Sequence, residues 1–365
     1  MSEYILVLIW LGIAAFISTA IGQQSVVNIC GKYEKRYSLI WAVVVMLPII
    51  WWAGHRGPVG DTAVYVSQFD SMPNALSELE TYLDSMTKDT GFYLFSALIR
   101  IFITQDSVVY LTILAAIQGG ILVWVYRKYS TNYVISIFLF IASTDYISWM
   151  YNGIRQFTAV TITFLGIGLI LKKKYVLSVL LILLASTFHQ SALLMLPFIF
   201  LVQGEAWNKK TVLFMIAVFI MIAGIGNFTG ILDSILADTQ YKNVVSDWTS
   251  FNDDGTSILR VLVYAVPGIL SFWGRRTIQE EKNPVINLCT NMSIISAGFY
   301  LLSRFTSGIF IGRLPIYFSL YGYILLPWEV DHLFDEENPK LIKGCMIAAY
   351  LIFYYYGMHV TWNMF

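Results

Sequence analysis

Charged residues are scarce in this sequence. Asp, Glu, Lys and Arg make up 13% of the 365 residues, whereas a soluble domain carries roughly 25%. The formal net charge is zero, so the composition gives no indication of nucleic-acid binding. Hydrophobic residues reach 57%. The composition therefore excludes an ordinary soluble domain and predicts a polytopic helical membrane protein.

Cysteines and cofactor motifs are equally scarce. Cys30, Cys289 and Cys345 have neither CxxC nor metal-site spacing, so we expect free thiols and no disulfide framework. No Walker loop or dinucleotide fingerprint stands in a suitable context. No Asp-x-Asp pair or His cluster on the predicted outer face demands a metal. We therefore expect an activity without cofactor or metal, with a divalent ion in a cavity as the alternative.

Apolar runs long enough to approach a membrane span recur along the chain. They cover residues 4–22, 38–54, 107–126, 132–150, 153–171, 175–188, 190–203, 211–228, 258–273, 284–303, 314–328 and 341–358. The first run has no basic region before it, so we expect a span and not a cleavable signal peptide. The pattern predicts an all-α protein with about twelve transmembrane helices in one integral membrane domain, 1–365.

The cations divide unequally between the two sides of this topology. One side carries fifteen: Lys32, Lys35, Arg36, Arg127, Lys128, Lys172, Lys173, Lys174, Lys209, Lys210, Arg275, Arg276, Lys282, Lys340 and Lys343. The other carries eight: Arg56, Lys88, Arg100, Arg155, Lys242, Arg260, Arg304 and Arg313. The richer side is predicted to be cytoplasmic, which places both termini outside. The outer side is rich in Arg, whose planar fork binds phosphate bidentately.

Two long loops face outward in this topology, about 55–106 and 229–257. The segment 91–103 within the first loop is apolar at helical spacing, and we interpret it as an interfacial helix on the outer face. Acidic and aromatic residues in both loops could bind glycan, with ordinary solvated loops as the alternative.

Four short polar constellations lie on the predicted outer side. They are Arg56-x4-Asp61-x3-Tyr65, the turn Asn152-Gly153-Ile154-Arg155-Gln156, the tip Phe188-His189-Gln190-Ser191-Ala192, and Arg304 followed by Arg313-Leu314-Pro315-Ile316-Tyr317. Each has a simpler reading. Arg155 could snorkel to lipid phosphates, an Asp near an Arg could be a structural ion pair, and His189 could cap a helix. Together they place cations, a carboxylate and a titratable base at one depth on one face.

The order of these motifs resembles the EpsG-type, Wzy-like polysaccharide polymerases, most closely over residues 40–200. The resemblance implies a bacterial inner-membrane glycosyltransferase of the GT-C type whose active site faces the periplasm or exterior. Such enzymes transfer a growing glycan from undecaprenyl diphosphate to the next lipid-linked repeat unit, and make O antigen, capsule or exopolysaccharide. The implied partners are the undecaprenyl-diphosphate-linked donor and acceptor and membrane lipid, with a chain-length regulator and a flippase as further candidates.

Chemistry assigns roles to the candidate residues. Arginines stabilise the charge that develops on a leaving diphosphate, so Arg56, Arg155, Arg313 and Arg304 are predicted to bind diphosphate, with Arg56 oriented by Asp61. His189 is the predicted base for the acceptor hydroxyl, and Asp61 is the competing candidate. A supporting role is predicted for the remaining polar members, Tyr65, Asn152, Gln156, Gln190 and Tyr317.

Three other readings of the sequence stay open. An O-antigen ligase-like transferase would share the donor and the topology but use another acceptor. A flippase or other transporter would place charges through the bilayer midplane, where Asp145 is the one clear acidic residue. A non-enzymatic scaffold would need no convergent set of Arg, His and Asp.

Overall fold

The computed structural model describes residues 2–235, 254–334 and 339–364. The predicted outer loop 229–257 and its Lys242 therefore lie largely outside the described residues. The described chain separates into two compact units, one within residues 1–196 and 337–365 and the other within 197–336. Each unit is described by itself.

Helices account for almost all of the regular structure. In chain order α1–α18 are Ser2–Ile21, Leu39–Gly54, Thr62–Asp70, Leu79–Asp84, Thr90–Phe102, Ser107–Tyr129, Tyr133–Ala142, Ile154–Leu165, Ile167–Leu171, Tyr175–Phe188, Met195–Leu201, Lys209–Ala223, Ile225–Ile235, Ile258–Trp273, Arg275–Glu281, Pro284–Arg304, Ile316–His332 and Pro339–Tyr356. Single turns of 3₁₀-helix cover Leu76–Glu78, Gln190–Leu194 and Ile311–Arg313, and π-helix covers Tyr146–Asn152 and Gly357–Thr361.

Polar caps mark where apolar helices begin. Six of the described helices start after a side chain that accepts a backbone N–H of the first turn: Ser38, Asp106, Asn132, Asn208, Ser257 and Asn283. Each such cap contributes about 0.5–2 kcal/mol because it satisfies a donor that the helix leaves unpaired. Because these caps fix where the helices start, the observed starts lie close to the starts of the predicted apolar runs.

The part of the chain that the structure describes is all-helical apart from one hairpin, as expected of a helical membrane protein. Within the described residues, five helices are long and apolar enough to cross a membrane, or up to eight if each of three bent pairs is one span. Every one of the twelve predicted runs lies on helix, but several are shorter than a full span, and the number twelve stays a prediction.

A two-stranded antiparallel hairpin was missed by the sequence analysis. Strands β1, Ser25–Ile29, and β2, Lys32–Arg36, pair with Ser25 opposite Arg36 and Ile29 opposite Lys32. The turn residues Cys30 and Gly31 have φ of 50° and 92°, the left-handed pair that a tight hairpin requires. The β-branched residues and the following glycine carried this signal, but the segment was read only as a cationic loop.

The core of the first unit is built on close contact between α2 and α6. Gly119 of α6 is buried, and a Cβ there would lie 2.9 Å from Ile50 Cγ1. Helix α5 packs its apolar face on α3, α6 and α10, where Phe92 and Ile99 are buried beside Phe69 and Tyr110. The predicted amphipathic helix at 91–103 therefore exists; its Phe92 and Ile99 side chains are covered by protein, whereas Phe102 is exposed.

The second unit is organised around α16, which packs against α12, α14 and α17. Phe198, Phe214, Phe299 and Phe318 form an aromatic cluster with ring centroids 4.9–5.7 Å apart. Such edge-to-face and offset contacts add stability beyond the burial of area.

The contact between α2 and α6 predicts that substitutions at two adjacent glycines differ in their effect on thermal stability. Gly119→Leu should lower the midpoint of thermal unfolding, because overpacking a tight contact costs about 1–3 kcal/mol. Gly120→Leu is the matched control, since a Cβ at Gly120 meets nothing within 4 Å. The midpoints are measured on purified protein in one detergent. Equal shifts in the two variants would contradict the packing described here.

Candidate active site

The turn at Tyr151–Gln156 is where two apolar segments meet. The segment that begins with α7 bends by 76° and continues as the π-helix Tyr146–Asn152, and α8 begins at Ile154. Gly153 joins them, and a Cβ there would lie 2.7 Å from the Trp149 ring. A π-helix is uncommon and often marks a functional site. Here it brings Tyr151, Asn152 and Arg155 to the same end of the first unit.

Arg155 is held at the first turn of α8 by groups from α3 and α5. Its Nη1 donates to Asp89 Oδ2 at 3.0 Å and to the Tyr93 hydroxyl at 3.1 Å. Its guanidinium carbon lies 5.7 Å from the centre of the Tyr93 ring. Tyr65 also forms a side-chain hydrogen bond with it. The Nε atom of Arg155 is buried and has no hydrogen-bond partner.

Asp89 is the residue of this site that the sequence analysis missed. It was counted only among the acidic residues of the first loop, yet it is 6% exposed and pairs with Arg155. Its carboxylate also accepts the backbone N–H of Gln190. The available signal was its place directly before the helical pattern of α5, but that position predicts only a cap.

The backbone and electrostatics of Asp89 are unusual for a capping residue. It occupies the N-cap position of α5 in a left-handed conformation, φ 55°, and makes no side-chain capping bond. Non-glycine residues in this region cost about 1–3 kcal/mol. Burial raises the pKa of Asp89, and the nearby Arg155 only partly opposes this effect. Keeping Asp89 ionised in this buried position, and in this backbone conformation, therefore lowers the stability of the folded protein.

Arg56 is buried, 8% exposed, and its partners among the described residues include no carboxylate. Its Nε donates to Thr62 Oγ1 at 2.9 Å, its Nη1 donates to the Ala53 carbonyl at 2.6 Å, and its guanidinium lies over the Tyr151 ring at 4.9 Å. Nη2 is buried without a hydrogen-bond partner. Burial lowers the pKa of Arg56 to about 10. The predicted orientation of Arg56 by Asp61 is wrong.

The turn before Asp61 is packed against Asn152. Gly60 has φ +56°, and its position is packed against Asn152, where a Cβ would lie 2.6 Å from Oδ1. The same Asn152 Oδ1 accepts the Asp61 backbone N–H at 2.9 Å. The Asp61 residue itself is exposed at the start of α3. Asn152 thus joins the first and second motifs through the backbone.

His189 ends α10 and begins the 3₁₀ turn Gln190–Leu194. It is half-buried, and its Nδ1 lies 2.7 Å from Ser191 Oγ and 3.4 Å from the Ser191 backbone nitrogen. This is the capping role that was considered as the simpler reading. With Nδ1 accepting in this cap, the neutral ring carries its proton on Nε2. A base role requires the other tautomer, in which Nδ1–H donates to Ser191 Oγ and Nε2 accepts the proton. Gln190 is exposed, and Gln156 is buried in α8.

The remaining predicted residues belong to the second unit. Arg304 donates from Nη1 to the Asp254 carbonyl at 2.7 Å. Gly255, with φ +73°, and Thr256 follow, and the Thr256 N–H donates to the Ser303 carbonyl at 3.1 Å. Of the two other predicted residues in this unit, Arg313 is exposed and Tyr317 is buried. Across the residues that the structure describes, no three His, Cys, Asp or Glu side chains gather as a metal site.

The raised pKa of Asp89 predicts a pH-dependent stability difference. In the folded state the carboxylate ionises only above its ordinary range, so stability is lost as the pH rises through the interval between the ordinary and the raised pKa. Asp89→Asn should therefore unfold at a higher temperature than wild type at neutral pH, and the gain should shrink at acid pH. The control is Asp70→Asn, at a carboxylate 56% exposed and 3.8 Å from Arg100. A lower midpoint for Asp89→Asn at neutral pH would contradict this account.

Comparison with known proteins agrees with the motifs. The EpsG family model matches residues 39–363, a range that contains every predicted site residue. No curated protein and no solved structure matches the chain. Membership in this family carries a general polysaccharide polymerase-like role on lipid-linked sugars. The chain therefore belongs to the EpsG family, the family of Wzy-like polysaccharide polymerases.

Proposed function

We propose that this protein polymerises undecaprenyl-diphosphate-linked oligosaccharide repeat units on the outer leaflet of the bacterial plasma membrane. The product is an exported glycan such as O antigen, capsule or exopolysaccharide. The proposal keeps the twelve-span, GT-C-like topology, with the site facing the periplasm or exterior. The observation that carries it is a pair of arginines at one end of the first unit, each with a buried N–H that has no partner among the residues the structure describes: Arg56 Nη2 and Arg155 Nε.

The two arginines support diphosphate binding because each has a buried N–H with no acceptor among the described residues, and a phosphate oxygen is a suitable acceptor for it. A buried polar group without a partner costs about 1–3 kcal/mol, and more if it is charged. Neither side chain is fully neutralised by protein. No described carboxylate lies beside Arg56, and the Asp89 carboxylate that pairs with Arg155 also accepts the Gln190 backbone N–H. Tyr65 lies close enough to both guanidinium groups to interact electrostatically with each. Phosphate oxygens between them would satisfy both donors.

The proposed reaction needs no cofactor because the donor already carries its leaving group. The acceptor hydroxyl attacks the anomeric carbon of the donor glycan and forms the new glycosidic bond. The bond from that carbon to the diphosphate oxygen breaks, and undecaprenyl diphosphate leaves with the electron pair. The arginines stabilise the charge that develops on the diphosphate.

His189 is our proposed acceptor of the hydroxyl proton. The short tip that holds it is linked to Arg155 through Asp89 and the Gln190 backbone, so the ring has a defined place beside the diphosphate site. Asp61 is the competing base, and its exposure leaves it accessible to substrate. Arg304 and Arg313, which belong to the second unit, are also proposed to bind diphosphate, with Tyr317 in a supporting role. A chain-length regulator and a flippase are proposed partners.

Replacement of the arginines by lysine tests the diphosphate role. Arg56→Lys and Arg155→Lys keep the charge but lose the planar fork, so each should reduce polymer formation by roughly 10²-fold, the cost of losing one well-placed donor to a developing oxyanion. Polymer is measured in cells with each variant at the wild-type protein level. The control is Arg100→Lys, which alters an arginine of α5 that pairs with Asp70. Polymer of normal amount and length in the first two variants would remove this role.

A further inference from the structure

Three segments of the first unit meet at one carboxylate. Asp89 stands at the start of α5, accepts from Arg155 at the start of α8, and accepts the backbone N–H of Gln190 directly after His189. We propose that Asp89 is a positioning residue of the polymerase reaction, because its carboxylate fixes the Arg155 fork relative to the His189 tip. This inference rests on the proposed function.

The local structure argues against a purely structural cap. An N-cap Asp ordinarily accepts an N–H of its own helix, whereas Asp89 makes no such bond and directs its carboxylate to Arg155 and Gln190. It does so from a left-handed backbone, which is maintained only where the surroundings demand it. The strained backbone and the missing capping bond are therefore explained by the contacts of the Asp89 carboxylate with Arg155 and Gln190.

The geometry at Arg155 defines what is positioned. Nη1 is occupied by Asp89 and by the Tyr93 hydroxyl, at 3.0 and 3.1 Å, so the guanidinium plane cannot rotate freely. Nε stays buried without a partner. A phosphate oxygen that satisfied Nε would therefore approach one predetermined edge of the fork. Without Asp89 the guanidinium would lose one of the two contacts on Nη1 and the link to the His189 tip.

The neighbouring contacts hold α5 in register with that tip. Gly91 of α5 is packed so closely against Thr187 of α10 that a Cβ would overlap its side chain. One helical turn later, the Phe95 ring lies 6.0 Å from the Phe188 ring, next to His189. The position of Asp89 relative to His189 is therefore set by two contacts between α5 and the end of α10.

Two substitutions remove the charge and still suit the left-handed backbone. Asp89→Asn and Asp89→Gly both tolerate φ near 55°, so neither adds strain. Each variant is purified at full length and reconstituted in nanodiscs with undecaprenyl-diphosphate-linked repeat units. Turnover, KM for the lipid-linked units, the inhibition constant of undecaprenyl diphosphate and the midpoint of thermal unfolding are measured. Asp70→Asn, which alters an exposed carboxylate, is the matched control.

We expect turnover to fall roughly ten- to a hundredfold in both variants, as misplacement of a binding group would cause. Undecaprenyl diphosphate should inhibit the variants more weakly, while the unfolding midpoint stays at or above that of wild type. Turnover within twofold of wild type would overturn the proposal. A loss that tracks a fall in the unfolding midpoint would also overturn it, because Asp89 would then be structural.

Arg155→Ala separates this inference from the proposed function. If Arg155→Ala still polymerises at the wild-type rate, the diphosphate role of Arg155 fails, and the role of Asp89 fails with it. If Arg155→Ala is inactive while Asp89→Asn and Asp89→Gly are fully active, only the inference about Asp89 fails.

Discussion

The guanidinium group of Arg56 is withdrawn from solvent, and no carboxylate of the described residues forms an ion pair with it. A charge removed from water must be compensated by hydrogen bonds, aromatic faces or a bound counter-ion. Thr62, the Ala53 carbonyl and the Tyr151 ring supply part of that compensation. Arg56 Nη2 is left without a hydrogen-bond acceptor among the described residues. Our account of the site depends on this buried N–H, which a bound anion would satisfy.

Arg155 meets the same constraint by a different arrangement. Its partner Asp89 is itself buried, and that burial raises the pKa of the carboxyl. Burial alone would disfavour the charged form of Arg155, but Tyr65, Tyr93 and Asp89 outweigh it, so the charged guanidinium is favoured at the expense of the carboxylate. A pair of this kind contributes little to net stability, because the desolvation of both groups offsets their attraction. Its persistence is better explained by function. The trade of stability for geometry is common where catalytic groups must be held in place.

Much of this arrangement could be predicted from sequence, and each feature that the prediction missed has its own physical reason. Long apolar runs and their Ser, Asp and Asn caps identify the helices, because burial and capping act over a few residues. Arg155, Asn152 and His189 are recognisable because polar residues between such runs are expensive. The hairpin after α1 was missed because its strands are only five residues each. Asp89 was missed as the partner of Arg155 because the two lie 66 residues apart, and sequence spacing says nothing about such contacts. Thr62 was missed as a partner of Arg56 because the neighbouring Asp61 was the more obvious partner for a cation.

Reconstitution with defined substrate tests the central claim most directly. Purified wild-type protein in nanodiscs is supplied only with undecaprenyl-diphosphate-linked repeat units, and both glycan length and free undecaprenyl diphosphate are measured over time. Our account predicts a ladder of products that differ by one repeat unit, with one undecaprenyl diphosphate released for every glycosidic bond formed. Folded protein that leaves the repeat units single, or that elongates them without releasing undecaprenyl diphosphate, would contradict it.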